Sequence, residues 1–241
     1  MSLRFEFNQH KNQVINNYLD STATTIANQL TSGEDFHLLL TGGQTGTDFS
    51  IALGNQIKSR IVSGNNKSNL HLWWSDERFV EVDDTDRNDT VAIKAFDWLG
   101  KNLIAHRTLP PSKGNINESA NDLSEQYQKV LGEQYFDMCF LGFGNDGHLA
   151  SCFPDQVMVL NSTLIALPIT NSPKPPPNRV TFTLTTLSRS KQVVIFAFGT
   201  EKAGSLIALK DSKIRDEKCP VRYLEKFNPE LDLVVLSDQD I

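Results

Sequence analysis

Cysteine is scarce in this 241-residue chain, with three residues at positions 139, 152 and 219. An odd number without a Cys-x-x-Cys pair argues against a disulfide framework or a thiolate zinc site. It points instead to reduced thiols and a cytoplasmic setting. Long apolar runs are missing as well. The longest, Val193 to Phe198, is far too short to span a membrane. The opening MSLRFEFNQHK lacks the apolar core of a signal peptide. Positive charge is not in excess: 23 Lys and Arg stand against 29 Asp and Glu, a net charge of −6. That balance speaks against a general nucleic-acid surface and leaves room for a local basic pocket. There is no internal repeat, low-complexity segment or clear linker. What remains, 39% hydrophobic and 22% charged residues, is the composition of an ordinary globular protein, read as one domain over 1–241.

Helical and strand patterns alternate along the chain. Val14, Ile15, Leu19, Ala23, Ile26, Ala27 and Leu30 predict a helix over 9–31 that stops at Gly33. A buried strand follows at Phe36 to Leu40, then a glycine loop, Thr41 to Asp48, and a helix through Lys58. His71 to Trp74 is a strand running into Ser75-Asp76-Glu77-Arg78. The acidic run from Val82 to Asp89 reads as a solvated loop, with Asn88 or Asp89 capping a helix to about Leu99. Further strands are expected over Leu103–Leu109, Leu164–Ile169, Arg179–Thr185, Gln192–Phe198 and Leu231–Leu236. Helices are expected over Asn117–Glu133, after Gly199 and over Pro220–Phe227. This alternation implies an α/β fold: a three-layer, open, mostly parallel sheet with helices on both faces.

The chemistry concentrates in DMCFLGFGNDGHLASCFPD, Asp137 to Asp155. An apolar strand, Met138 to Leu141, ends in glycines at 142, 144 and 147, followed by Asp146 and His148. The residues from His148 read as the start of a short helix halted before Pro154. A histidine at such a terminus is held neutral by the helix dipole, which makes His148 a candidate general base. The three glycines fit G-x-G-x-x-G. The early proline and the lack of an acidic residue about 20 positions on argue against a dinucleotide fingerprint. Two other segments suit an anion. The Thr41–Asp48 loop precedes a helix N-terminus, and Arg78 ends a strand where open α/β sheets place ligands. Lys202 opens a second helix, and Pro173 to Pro177 is a stiff extended loop.

Taken together, these segments resemble the 6-phosphogluconolactonase family: Thr41-Gly42-Gly43; Ser75-Asp-Glu-Arg-Phe-Val80; Leu141 to Pro154; Asn171-Ser-Pro-Lys-Pro-Pro-Pro-Asn-Arg179; and Gly199-Thr-Glu-Lys-Ala203. They occur in the family's order over most of the chain. The resemblance implies hydrolysis of 6-phosphoglucono-1,5-lactone to 6-phosphogluconate in the oxidative pentose phosphate pathway, without metal or organic cofactor. It implies His148 as the base that activates water and Asp146 as its orienting partner. The substrate and its phosphate would be held by Gly42, Gly43, Gln44 and Thr45, by Asp76 and Arg78, and by Lys202, with Arg179 a further anion-binding candidate. The expected partner is a small phosphorylated sugar lactone, with no nucleic acid and no membrane, and a monomer is favoured.

One departure stands out. The family usually carries Gly-Gly-Ser-Thr-Pro at the first loop, and here the letters are Gly42-Gly43-Gln44-Thr45-Gly46. The rival reading is an aminosugar-phosphate isomerase/deaminase, whose motif carries a glutamate five residues after the histidine. Phe153 stands there, and Arg78 replaces that group's usual tyrosine. A non-catalytic sugar-phosphate-binding regulator on the same fold is the second alternative.

Overall fold

The structure is a computed structural model that describes residues 3–61 and 66–240. In chain order its elements are β1 (Arg4–Phe7), α1 (Lys11–Ser32), β2 (Phe36–Leu40), α2 (Gly43–Arg60), β3 (Leu70–Trp74), β4 (Asp76–Arg78) and α3 (Asp89–Ala92). There follow β5 (Leu103–Ala105), α4 (Ile116–Val130), β6 (Met138–Gly142), α5 (Val157–Leu160), β7 (Ala166–Ile169) and β8 (Arg179–Phe182). The last are α6 (Leu184–Leu187), β9 (Gln192–Ala197), α7 (Ala203–Lys210), α8 (Val221–Phe227) and β10 (Asp232–Ser237).

Seven strands form a sheet in the order β1-β10-β9-β6-β2-β3-β5, and every neighbouring pair is parallel. A sheet covered on both faces needs strands that are apolar on both faces. The inner strands meet that need by alternation. Leu39, Trp73, Leu141, Val193, Ile195 and Val235 join one core cluster. Leu38, Leu40, Leu72, Trp74, Phe140, Val194 and Val234 join the other, against α1 and α2.

The first face carries more than helices. A second, antiparallel sheet of order β4-β8-β7 packs there, and the sequence pattern does not announce it. An aromatic group fixes it in place. Phe182 of β8 lies 6.1 Å from Trp73, 5.9 Å from Tyr127 and 5.7 Å from Phe136 between ring centroids, contacts worth about 0.5–1.5 kcal/mol each beyond area burial. Arg179–Thr185 therefore departs from the expected half-buried strand. Residues 179–182 are all buried and the chain turns into α6 at Leu184. Thr181 goes inside because its hydroxyl donates to the Phe182 carbonyl at 2.9 Å.

The strand order places the site. From β2 the chain moves outward to β3 and β5, and from β6 it moves the other way to β9 and β10. The order reverses between β2 and β6, so the crevice beyond their carboxyl ends is the switch point where open α/β sheets bind ligands. Thr41, just past β2, ties the two ends together by accepting the Gly142 N–H on its hydroxyl at 3.2 Å.

Candidate active site

A cleft of about 280 Å³ opens at this switch point. Its lining comes from every segment singled out in the sequence: Thr41 to Gly43, Asp76 and Arg78, Gly142 to Gly144 with His148, Lys174 and Pro175, Arg179, and Lys202. Asn88 and Ala150 complete it. Four cations face one lining carboxylate in a chain of net charge −6. That local excess of positive charge suits an anionic ligand.

His148 reaches the cleft by a turn, not by the expected helix. After β6, Phe143 bridges Leu149 and Leu149 bridges Cys152. Leu149 and Cys152 are both buried, so the segment folds back on the core, and the next helix is α5. The helix dipole thus has no part in the state of His148. Burial lowers its pKa below the ordinary 6.5, against the opposing pull of Asp146, with Lys174 adding to the lowering and Asp76 opposing it. The neutral imidazole follows from desolvation. No dinucleotide helix follows Gly142, Gly144 and Gly147.

Asp146 accepts from His148 twice, from the ring Nδ1 at 2.5 Å and from the backbone N–H at 3.4 Å. Burial raises the Asp146 carboxyl, but the hydrogen bonds and charge of His148, with Lys174, outweigh it and hold the group below its usual range. An ionised carboxylate can only accept, so Nδ1 carries the proton and Nε2 the lone pair. Nε2 makes no hydrogen bond among the described residues. The ring lies over Gly144 so closely that a Cβ there would stand 2.0 Å from Nδ1, which only glycine permits. Phe153 packs on the ring at 4.6 Å. By contrast, His37 and His71 sit at the starts of β2 and β3, the far end of the sheet. There the two rings pack tilted with centroids 4.3 Å apart, and Nδ1 of His71 bonds Nε2 of His106 at 2.9 Å.

The anion-binding candidates divide. Gly42 caps α2 and Gly43 is its first residue, beside the open N–H groups of an 18-residue helix. The predicted glycine loop is mostly this helix, because its first turn tolerates residues that would weaken an interior. Gln44 and Thr45 consequently sit in that turn and are not among the cleft-lining residues. Gln44 donates to Asp48 at 2.8 Å, and Thr45 accepts from Lys11 at 3.1 Å.

Arg78 lines the cleft with its Nη1 on the Asp86 carbonyl and a buried Nε that has no partner among the described residues. Lys202 closes a turn before α7. Burial lowers its pKa, with Glu201 opposing, and Nζ donates to the Asn145 side chain. Asp76 and Arg179 are both buried. Asp76 accepts from Ser151 at 2.6 Å and from Arg179 at 3.4 Å. Arg179 also donates to the carbonyls of Pro176, Lys174 and Pro175 at 3.1, 3.2 and 3.2 Å. Its fork is largely spent on holding the 173–177 loop, which presents Lys174 to the cleft. No ion pair links Asp76, Glu77 and Arg78 to one another among the described residues.

Two cleft-lining residues, Lys174 and Asn88, and the buried Ser151 that donates to Asp76 were not among the site residues read from the sequence. Lys174 lay inside the proline motif and could have been found as its one cation. Ser151 gave no signal. Asn88 was expected as a helix cap but makes no capping bond, and its side chain donates to the Asp76 carbonyl at 2.9 Å. Among the described residues no group of three or more His, Cys, Asp or Glu could hold a metal ion, and no helix is long and apolar enough to cross a membrane.

Residues 9–233 match the family described as glucosamine-6-phosphate isomerases/6-phosphogluconolactonase. The chain is 33% identical to the 6-phosphogluconolactonase of Mycobacterium leprae over 205 residues, covering 77% of each chain. It is 34% identical to that of Mycobacterium tuberculosis over 182 residues, 71% of each. The crystal structure of 6-phosphogluconolactonase from Leishmania guyanensis superposes with a TM-score of 0.79 at 21% identity, over 98% of this chain and 97% of that one. At such identity the likeness speaks for the fold, and the sequence matches carry the kinship. The chain thus belongs to the glucosamine-6-phosphate isomerase/6-phosphogluconolactonase family.

Proposed function

We propose that this chain is the lactonase of that family and hydrolyses 6-phosphoglucono-1,5-lactone to 6-phosphogluconate. The observation that carries the mechanism is the Asp146–His148 pair, with a neutral imidazole whose Nε2 is unspent beside a cationic cleft. In this reading Nε2 takes a proton from water as the water oxygen bonds to the lactone carbonyl carbon. The tetrahedral oxyanion then collapses, the bond from that carbon to the ring oxygen breaks, and the imidazolium returns its proton to the departing oxygen. Asp146 holds the tautomer and offsets the transient positive charge. A base of this kind contributes about 10²–10⁴ in rate. A lactone is an activated ester, so no covalent intermediate is needed.

The phosphate is assigned to the α2 N-terminus at Gly42 and Gly43, to Arg78 and to Lys202. Asp76 and Arg179 are assigned to the cleft floor. Binding the phosphate fixes the ring against the base. Phe153 supports the lactonase over the isomerase branch, because an apolar ring packs on His148 where isomerisation calls for a proton-carrying glutamate. Three buried free thiols support a cytoplasmic location. All the assigned residues come from one chain, so a monomer suffices.

The test is the decay of freshly generated 6-phosphogluconolactone at neutral pH against a no-enzyme blank, since the lactone also opens spontaneously. Acceleration is expected. A folded protein that leaves the blank rate unchanged refutes the proposal. Arg78→Ala is expected to raise KM by about tenfold or more with kcat little changed; a lowered kcat at unchanged KM removes Arg78 from the phosphate.

A further inference from the structure

Glu77 is 2% exposed and touches none of the reacting groups. Its carboxylate gathers three backbone N–H groups. Oε1 accepts from Arg78 at 2.8 Å and from Asn88 at 2.7 Å, and Oε2 accepts from Asp89 at 2.9 Å. Arg78 and Asn88 bracket the loop 79–87, so both stems of that loop are pinned on one side chain. Both stems also supply the cleft, through Arg78 and Asn88. Asn88 carries the linkage further. Its amide donates to the Asp76 carbonyl and presses on Gly42 at the start of α2, where a Cβ would fall 1.8 Å from Oδ1.

We propose that Glu77 is a positioning residue for the anion subsite: while ionised it sets Arg78 and Asn88 against the N-terminus of α2, and protonation loosens that subsite. The identity of the anion as a sugar phosphate rests on the lactonase reading. A neutral carboxyl gives one oxygen an O–H, reduces its capacity to accept and removes the charge that strengthens all three bonds, so the grip on the N–H groups weakens. The charged groups around Glu77 are Arg87 at the end of the loop 79–87, Asp89 at the start of α3, Arg107 beyond β5 and Arg179 of β8. Burial raises its pKa, Asp89 adds to the rise, and the N–H groups and Arg87 oppose it, leaving the carboxyl at about 7. As pH falls from 8 to 6 the protonated fraction grows and the grip on an anion weakens. Burial keeps the His148 imidazole below its ordinary 6.5, and the two groups are told apart by the parameter each one moves. Glu77 governs KM near neutrality and His148 governs kcat at lower pH.

The experiment compares wild type with Glu77→Gln between pH 6 and 8, reading KM for the lactone and Kd for 6-phosphogluconate by calorimetry. The phosphate of either ligand titrates near pH 6 and contributes equally to both proteins, so the difference between them isolates Glu77. The variant is expected to show KM and Kd raised about tenfold at pH 8, kcat within about threefold of wild type, and a pH dependence reduced to that of the ligand. A second measurement needs neither variant nor ligand, and it decides the matter if Glu77→Gln does not fold. Hydrogen exchange of the Asn88 and Asp89 amides in wild type, corrected for intrinsic base catalysis, is expected to lose protection as pH drops from 8 to 6. A variant with wild-type KM and Kd across the range, or pH-independent protection of these amides, overturns the inference. A wild type that neither opens the lactone nor binds 6-phosphogluconate overturns the lactonase reading, while the exchange result still decides the role of Glu77.

Discussion

Replacing Gly42 with alanine puts a methyl group where the Asn88 carboxamide already lies, 1.8 Å from Oδ1 and 2.2 Å from Cγ. The backbone at Gly42, φ −82 and ψ −162, suits any residue, so the penalty is contact rather than conformation. Asn88 cannot simply swing aside. It is 8% exposed, and its Nδ2 is bonded to the Asp76 carbonyl at 2.9 Å. Displacing it leaves buried polar groups unpaired, at about 1–3 kcal/mol, and a rearranged backbone costs a similar ~1–3 kcal/mol. Gly42→Ala should therefore destabilise by about 1–3 kcal/mol, lowering Tm by roughly 2–12 °C for a chain of this size. Asn88→Ala should cost a comparable amount by orphaning the Asp76 carbonyl, yet it removes the obstacle. In the double variant the new methyl has room, and the second substitution adds almost nothing. Urea denaturation of the four proteins is expected to give a coupling of about 1–3 kcal/mol in the favourable direction. Additivity within about 0.5 kcal/mol would refute the reasoning, and so would a double variant less stable than the sum of the two singles.

Two further substitutions separate the roles of the charged groups. Asp146 holds the His148 pKa up against burial, so in Asp146→Asn the imidazole stays neutral to lower pH. The acidic limb of kcat should shift to lower pH while its plateau falls by about 10²-fold or more through lost orientation and charge compensation; a limb that moves to higher pH contradicts the assignment. Arg179→Lys replaces a fork on four oxygens with a single ammonium. It should destabilise by about 1–3 kcal/mol and weaken the hold of Lys174, which lowers the His148 pKa, so that the acidic limb moves up. Unchanged stability and pH profile would remove the fork from its positioning role.

Much of the framework is legible in the sequence where one physical rule dominates. Phe36–Leu40 reads correctly to the residue because a strand buried on both faces must be a continuous apolar run. The 22-residue α1 is found because Val14, Leu19, Ala23, Ile26, Ala27 and Leu30 all face one cluster. The failures occur where tertiary bonds replace solvent. Thr181 is inside because it is hydrogen-bonded, so β8 looked half exposed. Asp89 closes the acidic run in burial because Arg87 donates its Nε to both carboxylate oxygens and Arg107 forks onto them, and local composition cannot reveal such partners. The short-helix expectation after His148 failed because Leu149 and Cys152 serve the core, a demand invisible to capping rules.

At the site, the sequence picked out segments that converge on one cleft, since each follows a β-strand that ends there. It did not separate the residues that line the cleft from those that build it. Gln44 and Thr45 were taken from a loop that is a helix. Arg179, read as an anion ligand, spends its donors on the neighbouring loop. Lys174 gained its place only from that loop's fold.

The most direct test of His148 as the base is single-substrate kinetics on 6-phosphogluconolactone with wild type and His148→Ala side by side, each corrected for spontaneous opening. A loss of about 10²–10⁴ in kcat, with KM changed by no more than a few-fold, is predicted. A folded His148→Ala enzyme that keeps kcat within about tenfold of wild type would contradict the mechanism and move the search for the base elsewhere in the cleft.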